Sequence, residues 1–164
     1  MVRDEELKRL IRYAQGMGIS VRFRPYKPHS GDAAEWDDEA QRIVVFVSTY
    51  DTKLNKILRL IHEIGHAKGF IRNGRRGKVR VTRALEAEKP TRVQRKLIYQ
   101  DEAADAKLWD EIYQDAGCTF HINKLRRRQA YDVWIYRQFY LTGRIPREID
   151  CARKRRELNQ LYPC

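Results

Sequence analysis

The stretch "LRLIHEIGHAKGF", residues 58–70, carries His62, Glu63 and His66 in the spacing HExxH, and its reading decides how the rest of the chain is organised. Residues four apart on a helix lie one turn above each other, so His62 and His66 leave one face at a separation that a single metal ion spans. Glu63 stands next to the first imidazole, close enough to take a proton from a water at such an ion. The helix is written around the motif: Leu54, Ile57, Leu58, Ile61 and Ile64 form its apolar stripe, Thr49 or Asp51 caps its start, and Gly69 ends it. Two imidazoles at the margin of that stripe are costly unless something binds them.

A catalytic zinc takes a third protein ligand and keeps one position for water. A further His six residues after His66 would supply it, but position 72 is Arg72, and neither His29 nor His121 has a supporting spacing. The stretch "KLIYQDEAADAKLWDEIYQDAG" (96–117) offers another source. On a continuous helix Ile98, Glu102, Asp105, Trp109, Ile112 and Ala116 fall within about 40° of one direction. Two carboxylates on an inward face must be ligated, paired or hydrogen-bonded. Glu102 as third ligand, with Asp105 accepting from the N–H of a ligating imidazole, satisfies both. Glu86, Glu88 and Asp105 itself are the rivals, and a buried salt bridge to an Arg is the plain structural alternative. Tyr99, Tyr113 and the Arg residues of the basic insertion 70–96 are the candidate donors to a developing oxyanion.

Outward from the motif, Leu7, Leu10, Ile11, Ala14 and Met17 mark a first helix closed by Gly16 and Gly18. "ISVRFRP" (19–25) alternates as a half-buried strand, and "RIVVFVST" (42–49) reads as a buried one whose exposed edge could hold an extended substrate. Residues 26–41 read as loop. The stretch 70–96 is a basic insertion with a turn at Asn73-Gly74 and a short strand in "KVRVTR". A second long helix runs from about Lys96 to Gly117, a third over 124–142, and a last short one over 147–160. The order gives an α+β fold in one domain, 1–164, with 117–164 as a helical C-terminal extension.

Composition narrows the setting. The chain of 164 residues is 42% hydrophobic, enough to bury a core without disulfides. It has no apolar run of membrane-spanning length and opens on a charged "MVRDEELKRL". Cys118, Cys151 and Cys164 are odd in number and outside any CxxC pattern, which suits free thiols in the cytoplasm. The net charge is +12, concentrated in 72–96 and 124–156. Such a field attracts nucleic acid or an acidic protein, or serves solubility alone.

"WDDEAQRIVVFVSTYDTKLNKILRLIHEIGHAKGF" followed by "DEAADAKLW" resembles the ImmA/IrrE-type metallopeptidases, among the minimal gluzincins. The resemblance covers about residues 3–116. It implies a zincin-like fold, a small sheet packed on the HExxH helix and on a second ligand-bearing helix. It further implies zinc on His62, His66 and Glu102, catalysis by Glu63, and hydrolysis of a peptide bond in a protein substrate. Relatives of this type are often regulators that cut a DNA-bound repressor, many of them from phages or mobile elements. The stretch between His66 and Glu102 is longer than is usual in the family. The competing class is a basic nucleic-acid-binding module, or an inactive zincin fold with structural zinc, in which Tyr131, Trp134, Tyr136 and Tyr140 interleave with the C-terminal Arg residues.

Overall fold

The computed structural model describes residues 4–25, 34–48 and 51–163, apart from the side chains of 75–79. The fold is α+β and mostly helical, with one three-stranded mixed sheet. Among the described residues, no helix is long and apolar enough to cross a membrane. The chain divides into two compact units, Met1–Lys68 with Leu108–Phe120, and Gly69–Lys107 with His121–Cys164.

In the first unit, α1 (Asp4–Gly16) buries Leu10 and Ala14 from its expected stripe and ends before Gly18, whose φ of 79° only glycine adopts freely. The sheet has the order β1-β3-β2. β1 (Ser20–Pro25) runs parallel to β3 (Arg42–Val47), pairing Val21 with Ile43 and Phe23 with Val45. β2 (Ala34–Asp37) runs antiparallel on the other side, with Trp36 opposite Ile43. β3 is therefore central, which explains why Ile43, Val44 and Val45 are all buried.

Two expectations change here. β3 has no open edge to offer a substrate, and β2 lies inside the stretch read as loop, of which 26–33 falls outside the described residues. "AEWD" contains no β-branched residue, so pairing with β3 rather than intrinsic preference makes it a strand. Its turn is tied by Asp37, which accepts from Ala40 N–H at 2.9 Å and from Arg42 Nη2 at 2.9 Å.

The motif helix α2 (Lys53–Leu85) starts one residue later than expected, with Thr52 Oγ1 accepting from Asn55 N–H at 3.1 Å. Thr49 falls outside the described residues. Asp51 instead joins the sheet to the helix. It accepts from Ser48 N–H at 2.7 Å and from Arg59 Nη1 at 2.7 Å, while Arg59 also donates to Phe46 O at 2.9 Å. Burial opposes charge on Asp51, but the Ser48 N–H and the Arg59 guanidinium outweigh it and hold the carboxyl below its usual range.

The same unit includes α4 (Trp109–Asp115), which buries Trp109 and Ile112. Lys68 fastens it. The ammonium lies 2.5 Å from Tyr13 Oη on α1, and 2.9 Å from Glu111 and 3.4 Å from Asp115 on α4. From α1, buried Glu6 accepts from Thr119 N–H at 2.9 Å and from the Thr119 hydroxyl, and Arg9 donates to Gly117 O.

In the second unit α2 does not stop at Gly69. It continues to Leu85 and breaks its helical geometry only at Gly74, where φ is 70° and ψ 165°. The chain does break where a turn was expected, at Asn73-Gly74, joining two helical runs across a kink, whereas the expected strand in "KVRVTR" is helix. α3 (Arg92–Ala106) begins at a capping box in which Thr91 and Gln94 satisfy each other's N–H groups. It ends before Lys107–Leu108, so the single helix expected from Lys96 to Gly117 is two, α3 and α4, belonging to different units.

α3 packs on α5 (Ile122–Thr142), and α5 on α6 (Glu148–Leu161). Their shared interior holds Ile98, Ala106, Leu125, Cys151 and Leu158. Gly143 closes α5 in the left-handed conformation, φ 71°, and Arg95 reaches past it to Tyr140 O at 3.3 Å and Pro90 O at 2.9 Å. His121 acts as the N-cap of α5, its Nδ1 accepting from Asn123 N–H at 3.3 Å.

Candidate metal centre

Ile57, Ile61 and Ile64 are fully buried and fix the roll of α2 against the first unit's core. That leaves His62 and His66 half-buried on the adjoining face. Their Nε2 atoms face each other at 2.9 Å, with ring centroids 4.7 Å apart and planes at 71°. Two neutral imidazoles at this distance share one proton, one nitrogen donating and the other accepting. Zinc–nitrogen bonds of about 2.0–2.1 Å at a tetrahedral angle put two ligand nitrogens roughly 3.3 Å apart. The pair therefore needs to open by only about 0.4 Å to straddle an ion.

The His62 ring is held in turn by Trp109, whose ring meets it edge-on at a centroid distance of 5.3 Å and 63°. Trp109 is itself buried at the start of α4, the helix that Lys68 ties to α1. The imidazole orientation thus rests on a packed aromatic and a buried ammonium. Glu63, between the two His along the helix, is 7% exposed.

In the second unit, Glu102 and Asp101 are half-buried on α3 and Asp105 is 2% exposed. The Asp105 carboxylate lies against the backbone of Gly69. A Cβ at Gly69 would stand 2.8 Å from Asp105 Cγ, 3.2 Å from Oδ2 and closer still to Oδ1. Gly69 is thus in the sequence to admit a carboxylate to the flank of α2, not to end the helix, which is why the helix runs through it. Of the rival ligands, Glu86 and Glu88 are exposed beyond the end of α2.

The two tyrosines named as oxyanion donors each have a partner in the structure. The Tyr113 hydroxyl donates to Phe120 O, and burial, with Cys118 and Glu6 nearby, raises its pKa. Tyr99 stacks on Tyr140 with centroids 5.8 Å apart and planes at 5°. Sequence reasoning missed the part played by Lys68. Its only signal was a cation among the apolar residues of the motif helix.

Comparison with protein-family models, with curated proteins and with solved structures finds no match. What stands is the class of fold, α+β with a helix carrying two facing imidazoles beside a buried glutamate.

Proposed function

We propose that this chain is a zinc-dependent metallopeptidase of the ImmA/IrrE type, hydrolysing a peptide bond in a protein substrate. The observation that carries the reading is the approach of His62 and His66 Nε2 atoms to 2.9 Å on the HExxH helix. Two imidazole nitrogens and a carboxylate are a donor set zinc takes, and in this reading His62, His66 and Glu102 are the residues that would supply it. The Asp105 carboxylate seated on Gly69, one turn beyond His66, supports a neighbouring role for α3. In this reading Asp105 accepts an imidazole N–H and fixes its tautomer.

Zinc, when bound, supplies Lewis-acid polarisation of the scissile carbonyl and makes water acidic near neutral pH. The chain's own residues do the rest. The Glu63 carboxylate removes the proton from the attacking water and returns it to the departing amine nitrogen. Its burial excludes bulk water from that transfer. With β3 central, strand addition by an extended substrate falls to β1 or β2, the outer strands. Cys118 and Cys151 are free buried thiols, which suits a cytoplasmic enzyme.

The test uses purified protein supplemented with zinc, with bound metal counted by mass spectrometry and hydrolysis followed on a peptide library. One zinc per chain is expected. Glu63→Gln keeps the metal and loses turnover by orders of magnitude, whereas His62→Ala loses both. Protein without stoichiometric metal sinks the proposal at its first step.

A further inference from the structure

The positive charge of the chain is not shared between its units. The first unit holds 12 Lys and Arg against 13 Asp and Glu, and the second holds 22 against 9. The first is therefore within one charge of neutrality, and the whole excess of +12 is accounted for by the second. Of the second unit's 22 cations, 16 are Arg. A solubilising surface is served as well by the strongly hydrated ammonium of Lys. The planar guanidinium fork is the group that matches phosphate oxygens two at a time.

Four of the nine acids of this unit are spent on local pairs. Asp132 takes Arg128 at 2.8 Å, Asp150 takes Arg147 at 3.1 Å, Glu157 takes Lys154 at 2.7 Å, and Glu148 takes Arg155. Exposed guanidinium groups stand beyond these pairs: Arg80 and Arg83 on α2, Arg137 on α5, and Arg153 and Arg156 on α6. α6 turns Cys151 and Leu158 inward and presents Arg153, Arg156 and Gln160 to solvent at helical spacing.

We propose that the second unit binds the phosphate backbone of duplex nucleic acid through these Arg residues, without base specificity and independently of any metal. Duplex is favoured over single strands because the aromatic rings are engaged with one another. Tyr131 stacks on Trp134 at 6.0 Å and accepts from Arg155 at 3.0 Å, and Tyr99 stacks on Tyr140. Rings so paired offer no platform for unstacked bases, which single-strand binding relies on. A lipid surface is disfavoured because a helix lying on one needs a segregated apolar face. The solvent side of α6 is polar apart from Ile149 and Leu161, which stand at its opposite ends and form no continuous apolar face.

Fluorescence anisotropy of the full chain with labelled 20-base-pair DNA and RNA duplexes tests this, each from 50 to 200 mM salt. Four phosphate contacts give a slope of log affinity against log salt of about −3.6, and an affinity loss of roughly 150-fold over that range. The triple variant Arg137→Ala, Arg153→Ala, Arg156→Ala, its helicity checked by circular dichroism, should flatten the slope by up to about 2.7. The parent should bind the duplex equally with and without EDTA, so failure of the peptidase reading leaves this one standing, and loss of binding in EDTA overturns the claim of metal independence. The proposal is overturned by any of four results: no binding at 50 mM salt, an unchanged slope in the triple variant, better binding of single strands, or equal displacement of the duplex by polyglutamate or anionic phosphatidylserine vesicles at matched charge.

Discussion

Replacing Gly69 with Ala puts one methyl group into the space held by the Asp105 carboxylate. The new Cβ would lie 2.8 Å from Cγ, where about 3.5–4 Å is comfortable, and nearer still to Oδ1. Asp105 is 2% exposed, so its short side chain cannot swing into solvent, and either the carboxylate loses its hydrogen-bonding position or α3 shifts along α2. Overpacking of this kind costs roughly 1–3 kcal/mol, and displacing a buried polar group adds about 1–3 kcal/mol. Ala is the better helix former by about 1 kcal/mol, which offsets part of the loss. The net expectation is a destabilisation of about 1–5 kcal/mol, or a melting temperature lowered by roughly 2–20 °C in a chain of this size. Gly16→Ala is the control. A Cβ there meets nothing within 4 Å, so that change should be neutral or mildly stabilising. Thermal unfolding by circular dichroism reads both, and the double change Gly69→Ala with Asp105→Ala should cost clearly less than the two single changes added together. A Gly69→Ala protein as stable as the parent would refute the seating of Asp105 on the motif helix, and with it the support for Glu102.

Lys68→Met should lower stability by about 1–3 kcal/mol, discounted from a fully buried pair because Glu111 and Asp115 are partly exposed. Burial alone would lower the Lys68 pKa, but the hydrogen bonds to Tyr13 and Glu111 and the nearby charges raise it. The stabilisation is therefore full below the unfolded-state value near 10.5 and is lost as pH rises through the higher folded value. Unfolding measured from pH 8 to 11.5 should converge for parent and variant at the alkaline end. Burial, with Glu6 beside it, pushes the Cys118 thiol up to about 12. Iodoacetamide at pH 8 should accordingly leave Cys118 unmodified in the native protein and label it readily in urea, as peptide mass mapping will show.

Most of the core was legible because it is periodic. Leu10 and Ala14 on α1 and Ile57, Ile61 and Ile64 on α2 were marked by spacing, Ile43 to Val45 on β3 by a compact β-branched run, and all are buried. The capping box Thr91–Gln94 went unread, and the helix start was placed four residues late. What the sequence hid depends on tertiary context. Gly69 reads as a stop signal, and only the neighbouring Asp105 reveals it as a close-approach position. Val79 and Val81 alternate as in a strand, yet they continue a helix. β2 exists because β3 has an edge to fill. The break at Lys107–Leu108 is silent because the apolar spacing carries on from Ile98 through Trp109 to Ile112. At the site, the HExxH spacing placed both imidazoles on one face, while the edge-on support from Trp109 depends on how α4 is moored.

The clasp between Glu6 and Thr119 joins residues 113 positions apart, and that separation governs the order of events at the ribosome. The sheet and the motif helix are synthesised first, yet Trp109, Ile112 and the acceptor loop for α1 emerge only after the whole basic stretch has been made. At about 5–20 residues per second the nascent chain spends several seconds with the apolar flank of its HExxH helix uncovered. For that interval the newborn protein exposes apolar surface of the kind holding chaperones recognise, and His62 waits for the Trp109 ring that will meet it edge-on.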